Sequence, residues 1–294
     1  MTATIERPGK EIGKARRRKE DARLITGRTR WTDNLQLPGM LHMALLRSTA
    51  AHARVTNLDV SAARRLPGVV AVFTGADLAD EQGSLPCAWP VTADMKAPPH
   101  PSLAVETVRY AGEAVAMVIA RSAYIARDAL EAIDIDYEDL PVVLDMEAAL
   151  ADGAPLVHPD LGTNRNALWV FDSAEAGTGG DAEQAISEAD VVVKRRFRQQ
   201  RLIPAFMEPR SVVVDPTGEQ LTMWSATQIP HVLRVMLALT LGIPEHKLRV
   251  IAPDVGGGFG GKLQVTREEV LTLLAARRLP GVVAVFTGAD LADE

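Results

Sequence analysis

An exact internal repeat constrains the fold of this chain more than any other feature. Residues 62–81 recur without a single difference as residues 275–294, so the same amino acids must fit two places with different neighbours. Structural repeats diverge in their loops and have atypical end copies, whereas this repeat is perfect, covers one partial unit and stops at the last residue. We therefore interpret the second copy as a scar of recombination or sequence assembly, and expect the native continuation to be missing beyond about Leu279.

The second copy can adopt the structure that the pattern predicts for the first, which is a helix, a turn and a strand. Residues 275–279 would extend the helix that precedes them, and residues 282–286 would supply a strand. The duplicated segment can thus form the same helix, turn and strand as its first copy.

Composition places the chain among ordinary folded proteins that act on small molecules. Of its 294 residues, 47% are hydrophobic and 24% are charged, close to the averages of soluble globular domains. The net charge of −6 argues against a nucleic-acid binder, since phosphate contacts need clustered Lys and Arg. No window of about 18 apolar residues is present, so no membrane span is expected.

Cys87 is the only cysteine in the sequence. An internal disulfide, a CxxC zinc site and a four-cysteine iron–sulfur cluster each need more thiols than one. This cysteine usage favours a reducing cytoplasm as the location of the protein.

Hydrophobic patterning predicts an α+β first half that is complete by about residue 145. Four strands are expected there, with a helix at residues 122–131 behind a serine cap; the strands are residues 39–47, 68–74, 114–120 and 132–137. A stretch rich in Gly, Ala, Asp and Asn at residues 152–180 follows, and we place the domain boundary in it.

The second half also mixes strands and helices. Strands are expected at residues 191–198, 211–215, 219–225 and 248–253, and the middle two form a hairpin across a Pro-Thr-Gly turn. Pro230 opens a helix that Gly242 closes, and a capping-box pattern at Thr266 starts a helix that reaches Arg278.

A glycine run at residues 256–261 fits two common phosphate-binding patterns. Followed by a lysine, it begins a P-loop, but Leu263 stands where that motif needs a Ser or Thr hydroxyl. Its spacing also fits a dinucleotide fingerprint, with Asp290 as the following acidic residue. In either case the missing Cβ atoms let backbone N–H groups approach an anionic ligand. The alternative to a ligand-binding loop is a tight apolar turn.

Further motifs accompany the glycine run, in the same order along the chain. Together they resemble the molybdopterin-binding subunit of the molybdenum hydroxylases, the family of aerobic carbon monoxide dehydrogenase, xanthine dehydrogenase and aldehyde oxidase. The resemblance is closer to the carbon monoxide dehydrogenase-like subunits, and it covers residues 14–279. The motifs are residues 20–27, 38–42, 47–48, 51–54, 108–113 and 136–141 in the first half and residues 205–210, 224–231, 241–245, 250–255 and 256–262 in the second.

The resemblance implies a domain organisation. Residues 14–145 would form an α/β hammerhead domain, and residues 165–279 would form the beginning of a molybdopterin-binding α+β domain that is truncated. Residues 275–294 would be the duplicate described above.

The resemblance also implies site residues. Gln228 matches the glutamine whose side-chain amide faces an oxo ligand of molybdenum, and Gly257, Gly258, Phe259 and Gly260 match the loop that passes the pterin and the metal. An amide NH₂ can donate to a metal oxo group without adding charge beside it. Phe259 can also be interpreted as a core anchor of this loop. The cofactor's dithiolene holds the metal in this family, so no protein ligand is expected.

Other polar residues receive structural roles. Glu208 and Arg210 match a family position, and we expect them to form an ion pair with each other. His42, His52 and His231 lack metal-ligand spacing and are expected to pack or form hydrogen bonds.

The implied reaction is the oxidative hydroxylation of a small substrate, such as carbon monoxide, an aldehyde or a heteroaromatic compound, with water as the oxygen source. The implied cofactor is molybdenum–molybdopterin in its cytosine dinucleotide form. Iron–sulfur clusters and FAD would lie on partner subunits. The family's base glutamate and substrate loop lie beyond the part that matches, so we expect this chain to be inactive alone.

Two residues bear on the substrate. Leu263 stands where purine-oxidising members carry a glutamate, which argues against a purine, and Cys87 does not match the copper-binding cysteine of carbon monoxide dehydrogenase. Two alternatives remain: a dinucleotide-binding enzyme that uses residues 256–261, and a non-catalytic binding module of a truncated subunit.

Overall fold

The structure is a computed structural model that describes residues 15–87, 89–171, 180–279 and 285–286. Its helices and strands form an α+β arrangement, and most of the predicted elements are present among them. They are α1 (Asp21–Ile25), β1 (Leu41–Arg47), β2 (Ala53–Asp59), α2 (Ser61–Arg64), β3 (Val69–Thr74), β4 (Thr107–Val108), β5 (Ala114–Ala120), α3 (Ala123–Leu130), β6 (Asp134–Asp139), α4 (Ala182–Ser187), β7 (Val212–Asp215), β8 (Leu221–Ser225), α5 (Pro230–Leu241), β9 (Leu248–Ile251), α6 (Arg267–Arg278) and β10 (Val285–Phe286).

The first half is built around strand β5. Every residue of this strand is buried, because an uninterrupted apolar run suits a strand that is covered on both faces. The sheet has the order β10-β1-β5-β3, in which β1 and β3 pair antiparallel with β5. Helix α3 packs on this sheet, and its N-cap Ser122 accepts a hydrogen bond from the Ile125 N–H at 3.3 Å.

A second sheet in the first half has the order β4-β2-β6. Its strands are mostly polar on the outer face, and a small cluster that includes Ala53, Val108 and Val115 is buried beneath it. Strand β2 was not predicted, because the sequence Ala-Arg-Val-Thr-Asn-Leu-Asp carries few apolar residues.

The second half contains a sheet of order β7-β8-β9. Strands β7 and β8 form the predicted antiparallel hairpin. Helix α5 then carries the chain back so that β9 pairs in parallel with β8. Pro230 stands in the first turn of α5, and Gly242 ends the helix in the left-handed conformation.

Helix α6 joins the two halves through one hydrophobic core. Leu271 and Leu274 of this helix belong to the same buried cluster as Met117 of β5 and Val214 of β7. The inner face of the first sheet is therefore covered by a helix from the second half. The division into residues 14–145 and 165–279 remains a prediction.

The prediction of a strand at residues 191–198 is wrong. This segment is irregular and exposed, and the side chain of Phe197 is 91% accessible. Within the described residues no strand pairs with it, so its backbone forms no β-sheet hydrogen bonds there. A run of β-branched residues alone does not make a strand without a neighbour.

Strands from the two copies of the repeat lie at opposite edges of one sheet. Val285 and Phe286 of β10 repeat Val72 and Phe73 of β3, but β10 pairs in parallel with β1 whereas β3 pairs antiparallel with β5. The rest of the predicted strand, residues 282–284, lies outside the described residues.

Candidate functional site

The glycine run forms an irregular loop between β9 and α6. Gly257 and Gly260 have φ angles of +100° and +90°, which side chains rarely tolerate. Phe259 also has a positive φ, +48°, and its side chain is 75% exposed. The interpretation of Phe259 as a core anchor is therefore wrong: its ring borders an open cavity instead.

The loop does not have the geometry of a P-loop or a dinucleotide fingerprint. Both motifs place their glycines at the start of a helix, where the helix dipole favours an anion. Here α6 begins only at Arg267, beyond Leu263 and Gln264. Asp290, the proposed acidic partner of the fingerprint, lies outside the described residues.

Gln228 packs directly on the loop. A Cβ atom at Gly258 would lie 2.3 Å from the Gln228 Oε1 atom, so a larger residue there would displace the Gln228 side chain. The same Oε1 atom accepts hydrogen bonds from the N–H groups of Gly260 at 3.2 Å and Lys262 at 3.3 Å. The Gln228 amide nitrogen has no hydrogen-bond partner among the residues that the structure describes, so it is left as a donor.

A buried ion pair fixes the two ends of the loop. Lys262 is 2% exposed, and its Nζ atom donates to Glu208 Oε2 at 3.1 Å and to the Glu208 carbonyl at 2.8 Å. Glu208 Oε2 also accepts from the Gly256 N–H at 2.6 Å. Burial lowers the pKa of Lys262, while the bond to Glu208 acts in the opposite direction.

This pair corrects the expected partnership of Glu208 with Arg210. The carboxylate binds Lys262 instead, and the Arg210 guanidinium lies 3.5 Å from the Gly261 carbonyl. Lys262 was missed because the sequence presents it as the lysine of a P-loop. Phe206 was missed as well: its ring lies 4.6 Å from the Lys262 Nζ atom, in a cation–π contact.

A cavity of about 730 Å³ lies against the loop. Glu208 Oε1 is buried and has no hydrogen-bond partner. Among the described residues, none accepts a hydrogen bond from the N–H groups of Gly257, Gly258 and Phe259. The cavity is lined by Trp31, Asp33, Asn34, Ala205, Met207, Glu208, Pro209, Ser211, Gly256, Gly257 and Phe259.

These features fit a flat, polar cofactor such as a pterin. Open backbone N–H groups and the Gln228 amide can donate to its heteroatoms, and the exposed ring of Phe259 offers an apolar face. The absence of Cβ atoms at the glycines lets the ligand approach the backbone closely.

The remaining polar residues lie apart from this loop. His52 Nδ1 lies 2.7 Å from the Pro141 carbonyl, and burial lowers the pKa of His42. Cys87 is exposed. Among the described residues, no group of three or more His, Cys, Asp or Glu side chains could hold a metal ion. No helix in the described part of the chain combines the length and hydrophobicity that crossing a membrane requires.

Two protein families match consecutive parts of the sequence. Residues 26–141 match the aldehyde oxidase and xanthine dehydrogenase a/b hammerhead domain, and residues 158–288 match the molybdopterin cofactor-binding domain. The chain belongs to the molybdenum hydroxylase large-subunit family. Its fold is accordingly a hammerhead domain followed by the beginning of a molybdopterin-binding domain.

Curated relatives of this chain are much longer. It is 37% identical to the carbon monoxide dehydrogenase large chain of Afipia carboxidovorans, over 90% of this chain and 33% of the relative. It is 38% identical to the nicotine 6-hydroxylase large subunit of Paenarthrobacter nicotinovorans, over 91% of this chain and 32% of the relative. The chain thus spans about a third of the length of these relatives.

A solved structure shares the fold of this chain. Quinoline 2-oxidoreductase from Pseudomonas putida 86 superposes with a TM-score of 0.82 at 39% identity, covering 94% of this chain and 34% of that one.

Proposed function

We propose that this chain provides one wall of the molybdopterin site in the catalytic subunit of a molybdenum hydroxylase. The residues that would hold the cofactor are Gln228, Gly257, Gly258, Phe259 and Gly260. The intact subunit would hydroxylate a small substrate, such as carbon monoxide, an aldehyde or a heteroaromatic compound, with water as the oxygen source. When bound, the cofactor supplies the two-electron redox chemistry that amino acid side chains lack.

One observation supports this proposal most strongly. The Gln228 carboxamide oxygen accepts hydrogen bonds from two N–H groups of the loop, those of Gly260 and Lys262. The amide nitrogen is therefore the end of the side chain that remains for a ligand. A Cβ atom at position 258 would lie 2.3 Å from that oxygen, so the glycine there leaves room for the Gln228 side chain in this orientation.

The chain's own residues would bind and orient the cofactor. The Gln228 NH₂ donates a hydrogen bond, and the N–H groups of residues 257–259 donate from the backbone. The Glu208–Lys262 pair keeps the loop in place, because the Glu208 carboxylate binds both ends of the loop. It accepts a hydrogen bond from the Gly256 N–H and pairs with the Lys262 ammonium group. Phe259 covers an apolar face and excludes water from it.

Further details of the proposal follow from the family resemblance. The cofactor would carry the cytosine dinucleotide form of molybdopterin, and electrons would leave through iron–sulfur and FAD subunits. We propose a cytoplasmic location, in line with the single cysteine. Leu263 argues against a purine substrate, because its aliphatic side chain offers no acceptor to a purine N–H.

Metal analysis of a longer chain tests the proposal. Residues 15–279 would replace the matching third of the Afipia carboxidovorans large chain, and the purified complex would be assayed for molybdenum and for turnover. We expect molybdenum to be retained, whereas the 294-residue chain alone retains little, since one wall encloses a ligand poorly. Gln228→Ala should lower turnover more than the unfolding midpoint. Stoichiometric molybdenum with turnover in the chain alone would contradict the one-wall proposal, and so would unchanged turnover in Gln228→Ala.

A further inference from the structure

A small cavity between loops of the first half and the start of α6 has three arginines in its lining. Its volume is about 210 Å³, and its polar lining comprises Arg47, His100, Tyr110, Arg210, Arg267 and Glu268, with Gln264 and Thr266. The cavity adjoins a larger one of about 600 Å³, with which it shares His100 and Tyr110. On a chain whose net charge is −6, three arginines around one small cavity are an unusual concentration of positive charge.

The nearby carboxylates neutralise only one of the three arginines, Arg47. Glu268 is paired with Arg47 at 2.9 Å, and both side chains are largely buried. Glu113 is buried and accepts the backbone N–H of Arg109 at 2.6 Å. In the part of the chain that the structure describes, Arg210 and Arg267 form no ion pair with any carboxylate.

Both unpaired guanidinium groups also have unsatisfied donors. Arg210 Nε and Arg267 Nη1 are buried and have no hydrogen-bond partner among the described residues. Arg267 donates to the Tyr110 hydroxyl, and its guanidinium lies 5.5 Å from the centre of that ring. Within the same residues, the Arg210 guanidinium forms one hydrogen bond, the 3.5 Å contact with the Gly261 carbonyl. Partly buried cations without a counter-charge are costly, and a bound anion would offset that cost.

The local field acts on the neighbouring histidine. Desolvation in the cleft lowers the pKa of His100, and the positive charges of Arg267 and Arg109 lower it further. His100 is thus held as a neutral imidazole, which can donate one hydrogen bond to a ligand without a charge of its own. Burial raises the pKa of the Glu113 carboxyl, while the hydrogen bond from the Arg109 N–H and the positive charges of Arg267 and Arg109 act in the opposite direction.

We propose that this cavity binds a small oxyanion, a carboxylate or a phosphate group, through Arg210 and Arg267, with the Tyr110 hydroxyl and His100 as further contacts. Guanidinium groups match the two oxygens of such an anion. The cavity admits the anionic group itself, and any larger body of the ligand would extend into the adjoining 600 Å³ cavity. The inference goes beyond the proposed cofactor site and does not depend on it.

Calorimetric titration of the 294-residue chain with inorganic phosphate and with benzoate tests this site. Ionic strength is held constant with chloride, which serves as the reference. We expect saturable binding of at least one oxyanion, and about ten-fold weaker binding in Arg210→Gln and in Arg267→Gln. Arg249→Gln, which removes an exposed arginine on β9, should bind as the unmodified chain does. Circular dichroism and an unfolding curve establish that each variant is folded.

Two additional measurements complete the test. If a glutamine variant does not fold, Arg267→Lys keeps the charge but loses the planar fork, and should still weaken binding several-fold. A nucleoside monophosphate distinguishes the source of the anion: tighter binding than phosphate indicates a ligand that reaches the larger cavity, and equal binding indicates a free anion. Either result supports the site. Absence of saturable binding above chloride, or unchanged affinity in the Arg210 and Arg267 variants, would overturn it.

Discussion

Glu269 is a fully buried carboxyl group whose protonation should control the stability of this chain. It stands in the first turn of α6, where Oε2 accepts the Thr266 N–H at 2.8 Å and Oε1 accepts the Ser225 hydroxyl at 2.7 Å. Burial raises the pKa of Glu269 from 4.5 to about 7, although both hydrogen bonds oppose the shift. The folded chain therefore keeps a proton that the unfolded chain releases above about pH 4.5.

The sign of the pH dependence follows from this difference. A carboxyl group with a raised folded pKa contributes its full stability below the unfolded pKa, and the contribution is lost as pH rises through the folded pKa. A shift from 4.5 to about 7 corresponds to about 3 kcal/mol at 1.36 kcal/mol per unit. Roughly 1 kcal/mol of it is already lost at pH 5, and nearly all of it at pH 8.

Glu269→Gln removes the titration and keeps the contacts. The amide oxygen accepts the Thr266 N–H, and the NH₂ donates to the Ser225 hydroxyl, which can accept as well as donate. Glutamine also suits this position of a capping box. The variant should therefore exceed the original chain in free energy of unfolding by roughly 1 kcal/mol at pH 5 and about 3 kcal/mol at pH 8.

Urea unfolding at pH 5, 6, 7 and 8 measures this difference. Glu219→Gln, at an exposed position, is the matched control and should change the free energy of unfolding by less than about 0.5 kcal/mol. A Glu269→Gln difference that stays constant between pH 5 and pH 8, or shrinks as pH rises, would refute the reasoning.

Three further predictions follow from the loop and the core. Lys262→Met should lower the free energy of unfolding by about 3–5 kcal/mol, because it leaves a buried carboxylate unpaired. Adding Glu208→Gln should recover part of that loss, and strict additivity of the two substitutions would exclude an energetic coupling between Glu208 and Lys262. Phe259→Gly should leave the unfolding free energy unchanged or raise it, since the ring is exposed and the backbone has a positive φ. A loss of about 3 kcal/mol, typical of a core phenylalanine, would contradict this expectation. Leu271→Ala should cost about 2–5 kcal/mol and lower a single unfolding transition seen by probes in both halves, whereas two separate transitions would argue against a shared core.

Elements that depend on local sequence were predictable. The apolar run of β5 gave the correct strand because a strand covered on both faces needs no alternation. The helix from Pro230 to Leu241 and the capping box of Thr266 with Glu269 also form as expected. In each case the signal lies within a few residues of the structure that it predicts.

Features that depend on distant partners were not predictable. Glu208 and Lys262 are 54 residues apart, and the adjacent Arg210 gave a plausible but wrong partner. The strand expected at residues 191–198 has the right pattern but no neighbouring strand among the described residues. The exposure of Phe259 follows from the positive φ angles of the loop, which a run of glycines permits but does not dictate.

Direct binding of a pterin to the loop tests the central claim, that Gln228 and residues 257–260 form one wall of a molybdopterin site. Molybdopterin released from a relative would be titrated anaerobically into the 294-residue chain, and binding would be followed by pterin fluorescence. We expect weak but saturable binding, lowered about ten-fold by Gly258→Ala, whose Cβ would lie 2.3 Å from Gln228 Oε1, and unchanged by Gly218→Ala, whose Cβ meets only ordinary contacts. Equal binding by all three chains, or none by the unmodified chain, would contradict the account.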